Sequence, residues 1–165
     1  NEDRYMSNKS PNPDFFYGVS LKLAYKNWDF GFNGHGTVGN YMFNDVLRGS
    51  ATAYYRDVID KGYLVNTQAA GAKYGFTANP TTAQSLSDMF LEDASFFRMD
   101  DINLGYTFRN IGQSKTQIRV AAGVQNVFTL TKYSGLDPES SVAGGIDGNI
   151  YPRPRIYSVR LGINF

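Results

Sequence analysis

The sequence predicts an all-β fold: a segment of a transmembrane antiparallel β-barrel with long loops on one side. Three observations predict it. Apolar and polar residues alternate with a period of two in five separate stretches, the mark of strands with one apolar and one polar face. Short and long connections take turns between those stretches. The 165 residues include 12 Tyr, 12 Phe, one Trp and 17 Gly, with only 19% charged, which suits strands that meet a bilayer interface.

The first strand is expected over 14–26. Phe15, Tyr17, Val19, Leu21, Leu23 and Tyr25 alternate there with Gly18, Ser20, Lys22, Ala24 and Lys26. Lys26-Asn27 is a tight turn. The second strand, 28–39, sets Trp28, Phe30, Phe32 and Val38 against Asp29, Asn33, His35 and Thr37. A long connection, 40–95, follows. It holds two helical candidates: 81–91, with Leu86, Met89 and Phe90 at helical spacing and Thr82 or Ser85 as cap, and 51–59. The third strand, 96–109, carries Ile102, Leu104, Tyr106 and Phe108 opposite Asp101, Asn103, Gly105, Thr107 and Arg109. A short turn at 110–114 leads to the fourth, 115–129. Its Ile118, Val120, Ala122, Val124 and Phe128 oppose Gln117, Arg119, Gly123 and Gln125. The second long connection is 130–153. The last strand, 154–165, alternates strictly over its final nine residues: Tyr157, Val159, Leu161, Ile163 and Phe165 against Ser158, Arg160, Gly162 and Asn164.

Composition narrows the class. With 16 Lys plus Arg against 15 Asp plus Glu, the net charge of +1 argues against a nucleic-acid arm or an acidic tail. The absence of Cys excludes a disulfide scaffold, a thiolate metal site and a cysteine nucleophile. Mean hydropathy is −0.37, and no apolar run approaches the roughly 18 residues of a membrane helix. Barrel strands escape that test, because alternation averages out as hydrophilic. The chain opens on Asn1-Glu2-Asp3-Arg4, with no leader pattern, as expected of a cytosolic protein, a processed one or a piece of something larger.

Periodicity alone does not say which face meets water. A lipocalin-like barrel turns its apolar face inward, and an outer-membrane barrel turns it outward. Three details favour the second. A dozen residues at about 3.3 Å each, tilted by roughly 40°, climb roughly 30 Å, enough for an apolar band about 25 Å tall. Aromatics gather at the strand ends: Tyr25, Trp28, Tyr106, Phe108 and Phe165 at one rim, Phe15, Tyr17, Phe128 and Tyr157 at the other. The polar faces are rich in Gly, Asn, Gln, Ser, Lys and Arg, as a hydrated lumen requires.

Five strands do not close an antiparallel barrel, which needs an even number. Each bare edge in a bilayer would leave roughly ten backbone groups unpaired at several kcal/mol apiece. That exceeds the about 5–15 kcal/mol that stabilises a whole domain. Preceding strands are therefore expected from a missing N-terminal part or from another chain.

Several stretches resemble, in order, the C-terminal end of SusC/RagA-type TonB-dependent outer-membrane transporters. Asn12-Pro13-Asp14-Phe15 with Tyr17-Gly18 resembles the family's "NPDF-x-YG" entry to a late strand. Glu92-Asp93-Ala94-Ser95-Phe96-Phe97-Arg98 and Asn103-Leu104-Gly105-Tyr106-Thr107-Phe108 resemble "EDASFLRL…NLGYTF". Gln125-Asn126-Val127-Phe128-Thr129 resembles "QNLFT", and Tyr133-Ser134-Gly135-Leu136-Asp137-Pro138-Glu139 resembles "YSGYDPE". Gly145-Ile146-Asp147 and Tyr151-Pro152-Arg153-Pro154-Arg155 resemble "GID…YPRPR". Residues 45–85 match nothing in the family's pattern, as a variable extracellular loop would.

The resemblance implies that the chain is the last five strands of a 22-stranded barrel, with extracellular loops at 40–95 and 130–153 and the plug domain absent. It implies TonB-dependent nutrient import across the outer membrane of a Gram-negative bacterium, Bacteroidetes-like. The cargo would be oligosaccharides or, as in RagA-like members, peptides. The partners implied are the rest of the barrel and its plug, a SusD-like surface lipoprotein as lid, the TonB complex through the missing N-terminal part, and the lipid bilayer. No nucleic acid and no cofactor is implied.

Candidate sites follow. Phe165, with Tyr157, Val159, Leu161 and Ile163, looks like a barrel-assembly signal. The alternative is an ordinary lipid-facing strand. Loop aromatics Tyr41, Phe43, Tyr54, Tyr55, Tyr63, Tyr74 and Phe76 are candidates for contact with substrate or lid, or for packing the loop on itself. Lys22, His35, Arg119 and Arg160 are candidate lumen-lining residues. His35 is the single histidine, so no histidine-based triad or metal site assembles within the chain. Asp137, Glu139 and Asp147 are a weak Ca²⁺ candidate, without EF-hand spacing. Asp57 and Asp60 have nothing specific to mark them as a glycosidase pair, and no phosphate loop or nucleophile elbow is present. Competing classes are a soluble lipocalin-like binder and an outer-membrane barrel enzyme. The second would need an even strand count and polar catalytic residues near a rim. Deleting Phe165 is expected to lower the amount of assembled barrel in the outer membrane. Unchanged surface levels, measured by labelling of intact cells, would refute the assembly-signal reading.

Overall fold

The computed structural model describes residues 7–51, 85–109, 116–139 and 144–164. In chain order the elements are β1 (Phe15–Tyr25), β2 (Trp28–Val38), β3 (Tyr41–Phe43), α1 (Asp45–Ala51), a 3₁₀ turn (Asp88–Phe90), β4 (Leu91–Asp93), β5 (Phe96–Phe108), β6 (Gln117–Thr131) and β7 (Ile156–Asn164). They fall into two compact units. One holds Phe15–Val38, Phe96–Thr131 and Pro152–Phe165; the other holds Asn1–Asp14, Gly39–Ser95 and Lys132–Tyr151.

The first unit is a five-stranded sheet in the order β1-β2-β5-β6-β7, every pair antiparallel. Its strands start and stop within two residues of the alternating stretches. Pairing register is independent of periodicity, and it brings all five apolar rows to one face. Leu23 pairs with Phe30, Phe30 with Leu104, Leu104 with Ala122 and Ala122 with Val159. One residue along, Lys22 pairs with Gly31 and Gly31 with Asn103; Asn103 pairs with Gly123, and Gly123 with Ser158. Residues directly opposite in a ladder share a face, so the sheet has one apolar and one polar side, except that at one end Phe16 and Phe96 join Thr37 and Thr131 on the polar side.

The long β5 keeps its apolar row only through a bulge. Phe97 and Met99 are odd-numbered, whereas Ile102, Leu104 and Tyr106 are even. The register against β2 slips between Asn33 and Gly34, leaving Asp100 as the extra residue. A bulge that inserts one residue restores the phase, so both halves of β5 present apolar side chains to the same face. At the β1–β2 turn, Lys26 takes φ 55°, the positive value that a two-residue hairpin requires at its first central position.

Nothing within the described chain covers the apolar face. Leu23 is 54% exposed, Leu161 67% and Val159 80%. Aromatic rings mark its two ends. At one, Tyr25 pairs with Trp28 and Trp28 with Tyr106, whose ring lies 4.7 Å from both Trp28 and Phe108. At the other, Phe15, Tyr17, Phe97 and Phe128 form a chain of rings with centroids 6.2, 6.1 and 6.3 Å apart. Among the described residues the edge strands are β1 and β7, and the sheet is open.

The second unit pairs β3 with β4 around buried Met42, Phe90, Ala94 and Tyr133. Asn44 caps α1: its Oδ1 accepts from the Leu47 amide at 2.8 Å, and the Asp45 carboxylate in the first turn suits the helix dipole. Of the helix expected over 81–91, residues 81–84 with Thr82 lie outside the described residues, Ser85 is helical, and a separate 3₁₀ turn capped by Ser87 stands where the helix was expected to run on, with Phe90 in the core. Leu91 then enters β4, because pairing with Phe43 claims its backbone. Helix α1 ends where the expected 51–59 helix begins; 52–59 lie outside the described residues.

Gly36 tests the aromatic end of the sheet. A Cβ there would overlap the Phe96 carbonyl and the Tyr17 ring. Gly36→Ala is expected to destabilise the sheet by about 1–3 kcal/mol, as overpacking does. The check is the denaturant midpoint of the folded receptor, with Gly49→Ala, where nothing stands within 4 Å, as the neutral comparison.

Candidate functional site: the polar face and its arginine-lined hollow

The polar face is organised by side-chain hydrogen bonds, two crossing between strands and one within β5. Ser20 Oγ donates to Asn33 Oδ1 at 2.7 Å, Asn33 Nδ2 donates to Asp101 Oδ2 at 2.7 Å, and Asn103 Nδ2 donates to Asp101 Oδ1 at 2.5 Å. Both carboxylate oxygens of Asp101 are thus engaged by neutral donors. His35 Nδ1 lies 2.7 Å from Asp100 Oδ2, the bulge residue. Arg119 forks onto Asp29, Nε to Oδ1 at 3.1 Å and Nη2 to Oδ2 at 2.5 Å. Such two-pronged pairing fixes the guanidinium plane as well as its charge. Gly105 lets the pair form, since a Cβ there would meet both the guanidinium and the carboxylate.

Beside these groups lies an open hollow of about 520 Å³. Four arginines, Arg98, Arg119, Arg153 and Arg160, reach it, together with Asp100 and Asp101. Its floor is small: Ala121 and Gly123. Arg98 is 3% exposed; its Nη1 donates to Asn126 Oδ1 at 3.2 Å, and its guanidinium lies 5.8 Å from the Phe96 ring centre. Asn126 takes φ 52°, a left-handed conformation that asparagine tolerates better than most residues. Its Nδ2 donates to the Arg153 carbonyl at 2.5 Å, and Arg155 Nε donates back to the Asn126 carbonyl at 3.4 Å. One side-chain amide therefore joins Arg98 to the backbone that enters β7.

The structure distributes the expected lumen residues unevenly. Arg119 and Arg160 line the hollow, and His35 reaches it through Asp100. Lys22 lies on the same face but lines a different depression, with Gly31 and Asn33. Sequence reading passed over Arg98, Asp100 and Arg153. The signal for the first two was the jump of the apolar phase from odd to even between Met99 and Ile102, which announces a bulge and an extra polar side chain. Tyr157, Val159, Leu161 and Ile163 stand exposed on the apolar face of β7.

In the second unit, motifs far apart in sequence meet. Glu92 Oε1 accepts from Asn44 Nδ2 at 2.9 Å and Ser134 Oγ at 2.7 Å, and Oε2 accepts from the Ser134 amide at 2.8 Å. Tyr133 donates its hydroxyl proton to Asp147 Oδ2 at 2.6 Å; Asp147 is 1% exposed. Phe43 packs on Phe90 at 6.0 Å, and the Lys9 ammonium sits 4.4 Å over the Tyr41 ring, so these two loop aromatics pack within their own unit. Tyr54, Tyr55, Tyr63, Tyr74, Phe76 and Phe165, with Asp57 and Asp60, lie outside the described residues. The Ca²⁺ candidate is not assembled. Asp137 Oδ1 accepts from the Glu139 amide, Asp147 binds Tyr133 and the Asn149 amide, and no group of three or more carboxylates or histidines suited to a metal occurs among the described residues.

Two groups give this unit a pH window. The Ser95 hydroxyl lowers the pKa of Asp93 from its ordinary value, helped by Ser95 N–H, Lys132 and Lys9 against partial burial. A depressed carboxylate stabilises above its unfolded pKa, near 4, and that stability is lost as pH falls through the lower folded value. Burial, then the Asp147 carboxylate, push Tyr133 far above its ordinary value. A raised phenol stabilises fully below its unfolded pKa, about 10, and the contribution fades as pH rises beyond it. Amide hydrogen exchange at Met42 and Ala94 is expected to accelerate below about pH 4 and above about pH 10. Tyr133→Phe should abolish the alkaline limb only.

No protein-family profile matches the chain. It is 36% identical over 167 residues to the TonB-dependent receptor SusC of Bacteroides thetaiotaomicron, covering 99% of this chain and 16% of that protein. A TonB-dependent receptor of Formosa agariphila is 25% identical over 169 residues, covering 94% of this chain and 17% of its own length. The structure of the RagAB peptide importer in its closed-closed state aligns with TM-score 0.67 and 26% identity over 97% of this chain and 18% of the other. Another RagAB peptide transporter structure gives TM-score 0.69 at 24% identity, with 97% and 19% covered. The chain spans 16% of the length of its SusC relative and corresponds to a stretch of a SusC/RagA-type TonB-dependent receptor.

Proposed function

We propose that the chain forms the last five strands of a 22-stranded barrel in a nutrient importer that takes up oligosaccharides. The plug and the TonB contact would come from the remainder of the receptor, and a SusD-like lipoprotein would close it as a lid. One observation carries the membrane reading: the apolar rows of five strands share a single uncovered face. A bare face of that extent marks a membrane or partner surface. Its two aromatic ends are about ten residues apart along β1, about 33 Å, or roughly 25 Å of bilayer once the strand tilts by roughly 40°. The open edges on β1 and β7 would pair with strands of the same barrel, since no sheet edge is tolerated in lipid. The unit built from the long connections would form the extracellular side.

A second reading keeps the transporter and changes the cargo to peptides. Two solved structures that align with the chain are of the RagAB peptide importer, whereas the relative at 36% identity is SusC.

The membrane reading is tested by single cysteines in the full receptor in its outer membrane. Val159→Cys and Leu161→Cys are expected to resist a membrane-impermeant maleimide in intact cells and after lysis. Ser158→Cys and Ser20→Cys should react once the lumen is reached. Equal labelling of both sets would overturn the assignment of faces.

A further inference from the structure

The apolar face of the sheet is not smooth. We propose that a hollow at its short-turn end seats one anionic phospholipid, with an acyl chain in the hollow and the headgroup phosphate on Lys26. The proposal rests on the assignment of the apolar face to the bilayer. It goes beyond that reading by giving one patch of the face a particular lipid.

The hollow measures about 470 Å³. That falls within the about 300–1,000 Å³ of small-ligand sites. It is lined by Trp28 of β2, Leu104, Tyr106 and Phe108 of β5, and Val120 and Ala122 of β6. Those side chains carry two polar atoms in all, the Trp28 indole nitrogen and the Tyr106 hydroxyl. The register explains the shape. In the row Leu23, Phe30, Leu104, Ala122 and Val159, Ala122 is the smallest side chain. The adjoining row toward the short turns runs Tyr25, Trp28, Tyr106, Val120 and Leu161. One small residue among large ones leaves a notch. The rings beside it are held in place. The Tyr106 ring lies 4.7 Å from both Trp28 and Phe108, at 66° and 70°, and such edge-to-face contacts stiffen the wall.

Shape alone does not retain a lipid, because a tail that leaves the bilayer for an apolar wall gains no hydrophobic energy. Closer packing in a notch and charge at the headgroup level supply the difference. The charge is present at this rim. The Lys26 ammonium lies 5.2 Å over the Tyr25 ring, and Tyr25 is the partner of Trp28 across the hairpin. The turn is pinned next to the hollow: the Thr107 amide, between Tyr106 and Phe108, donates to the Asn27 carbonyl at 2.8 Å. Arg109 follows Phe108 directly and is exposed. Among the described residues of these strand ends, 24–30, 104–109 and 116–122, the one acidic side chain is Asp29, and it is forked by Arg119 on the polar face. The rim beside the hollow is therefore cationic, which favours a headgroup of net negative charge. Short turns lie on the periplasmic side of outer-membrane barrels, so the lipid comes from the periplasmic leaflet.

The test uses the full receptor in nanodiscs that contain phosphatidylglycerol with a photoreactive diazirine in its acyl chain, or the matching phosphatidylethanolamine. Irradiation and peptide mass spectrometry then map the adducts. Phosphatidylglycerol adducts are expected to gather on Tyr106, Phe108 and Val120, above the level on Leu21 and Val159, and to exceed those from phosphatidylethanolamine. Ala122→Phe fills the notch from an exposed position and should return the labelling there to the level of the other apolar rows. Lys26→Asn should cut it by about fivefold, the worth of one lysine near an anionic membrane surface. Asparagine accepts the positive φ of this turn, so that variant keeps the hairpin if Ala122→Phe does not assemble. Even labelling of all apolar rows overturns the seat. So does equal capture of the two lipids, or labelling that neither variant changes. Failure of the membrane reading looks different and overturns both: adducts are then absent from the whole face, and the two sets of cysteines react alike with the maleimide.

Discussion

A strand repeats every two residues, and that period binds the two faces of this sheet to each other. Moving any strand by one residue would send its whole apolar row to the polar side and its charges to the apolar side. The fork between Arg119 and Asp29, the chain from Ser20 to Asn103 and the apolar rows therefore stand or fall together. The polar network fixes register from one face and the rings fix it from the other. Where the sequence slips phase, at Asp100, the backbone bulges so that both faces survive. The extra residue is then free to meet His35.

The second unit solves a different problem. Among its described residues few apolar side chains are buried, and carboxylates that collect donors order them. Glu92 gathers Asn44 and Ser134, Asp93 gathers Ser95, and Asp147 takes the Tyr133 hydroxyl. Side-chain bonds of this kind, most of them between residues far apart in sequence, tie irregular chain together without a ladder. The stretches that resemble the family pattern, from "EDAS" to "YSG" and "GID", are the ones that meet here. In this unit the resemblance in sequence reflects a hydrogen-bond node more than a packed core.

The strands were legible because each one states its period over nine or more residues, long enough for alternation to dominate local propensity. The second unit was not. Strands β3 and β4 are three residues each, too short for any period to appear, and they pair across the long connection. The turn at Asp88 read as helix because Leu86, Met89 and Phe90 sit at helical spacing, yet tertiary pairing of Leu91 with Phe43 prevailed over that weak local preference. The candidate site was half legible. Periodicity placed Arg119 and Arg160 on the polar face. It said nothing of Arg153, whose position depends on a contact with Asn126 that no local pattern encodes.

The clasp between Asn126 and the segment 153–155 also separates two properties that hairpins usually couple. In a tight hairpin the loop sets the register of its strands. Here a side-chain amide on β6 sets where β7 begins, whatever the intervening chain does. Closing a loop twice as long costs only about 0.6 kcal/mol more. The chain between the clasped residues can therefore change in length away from its own anchors, Tyr133, Ser134 and Asp147, while the last strand keeps its seat.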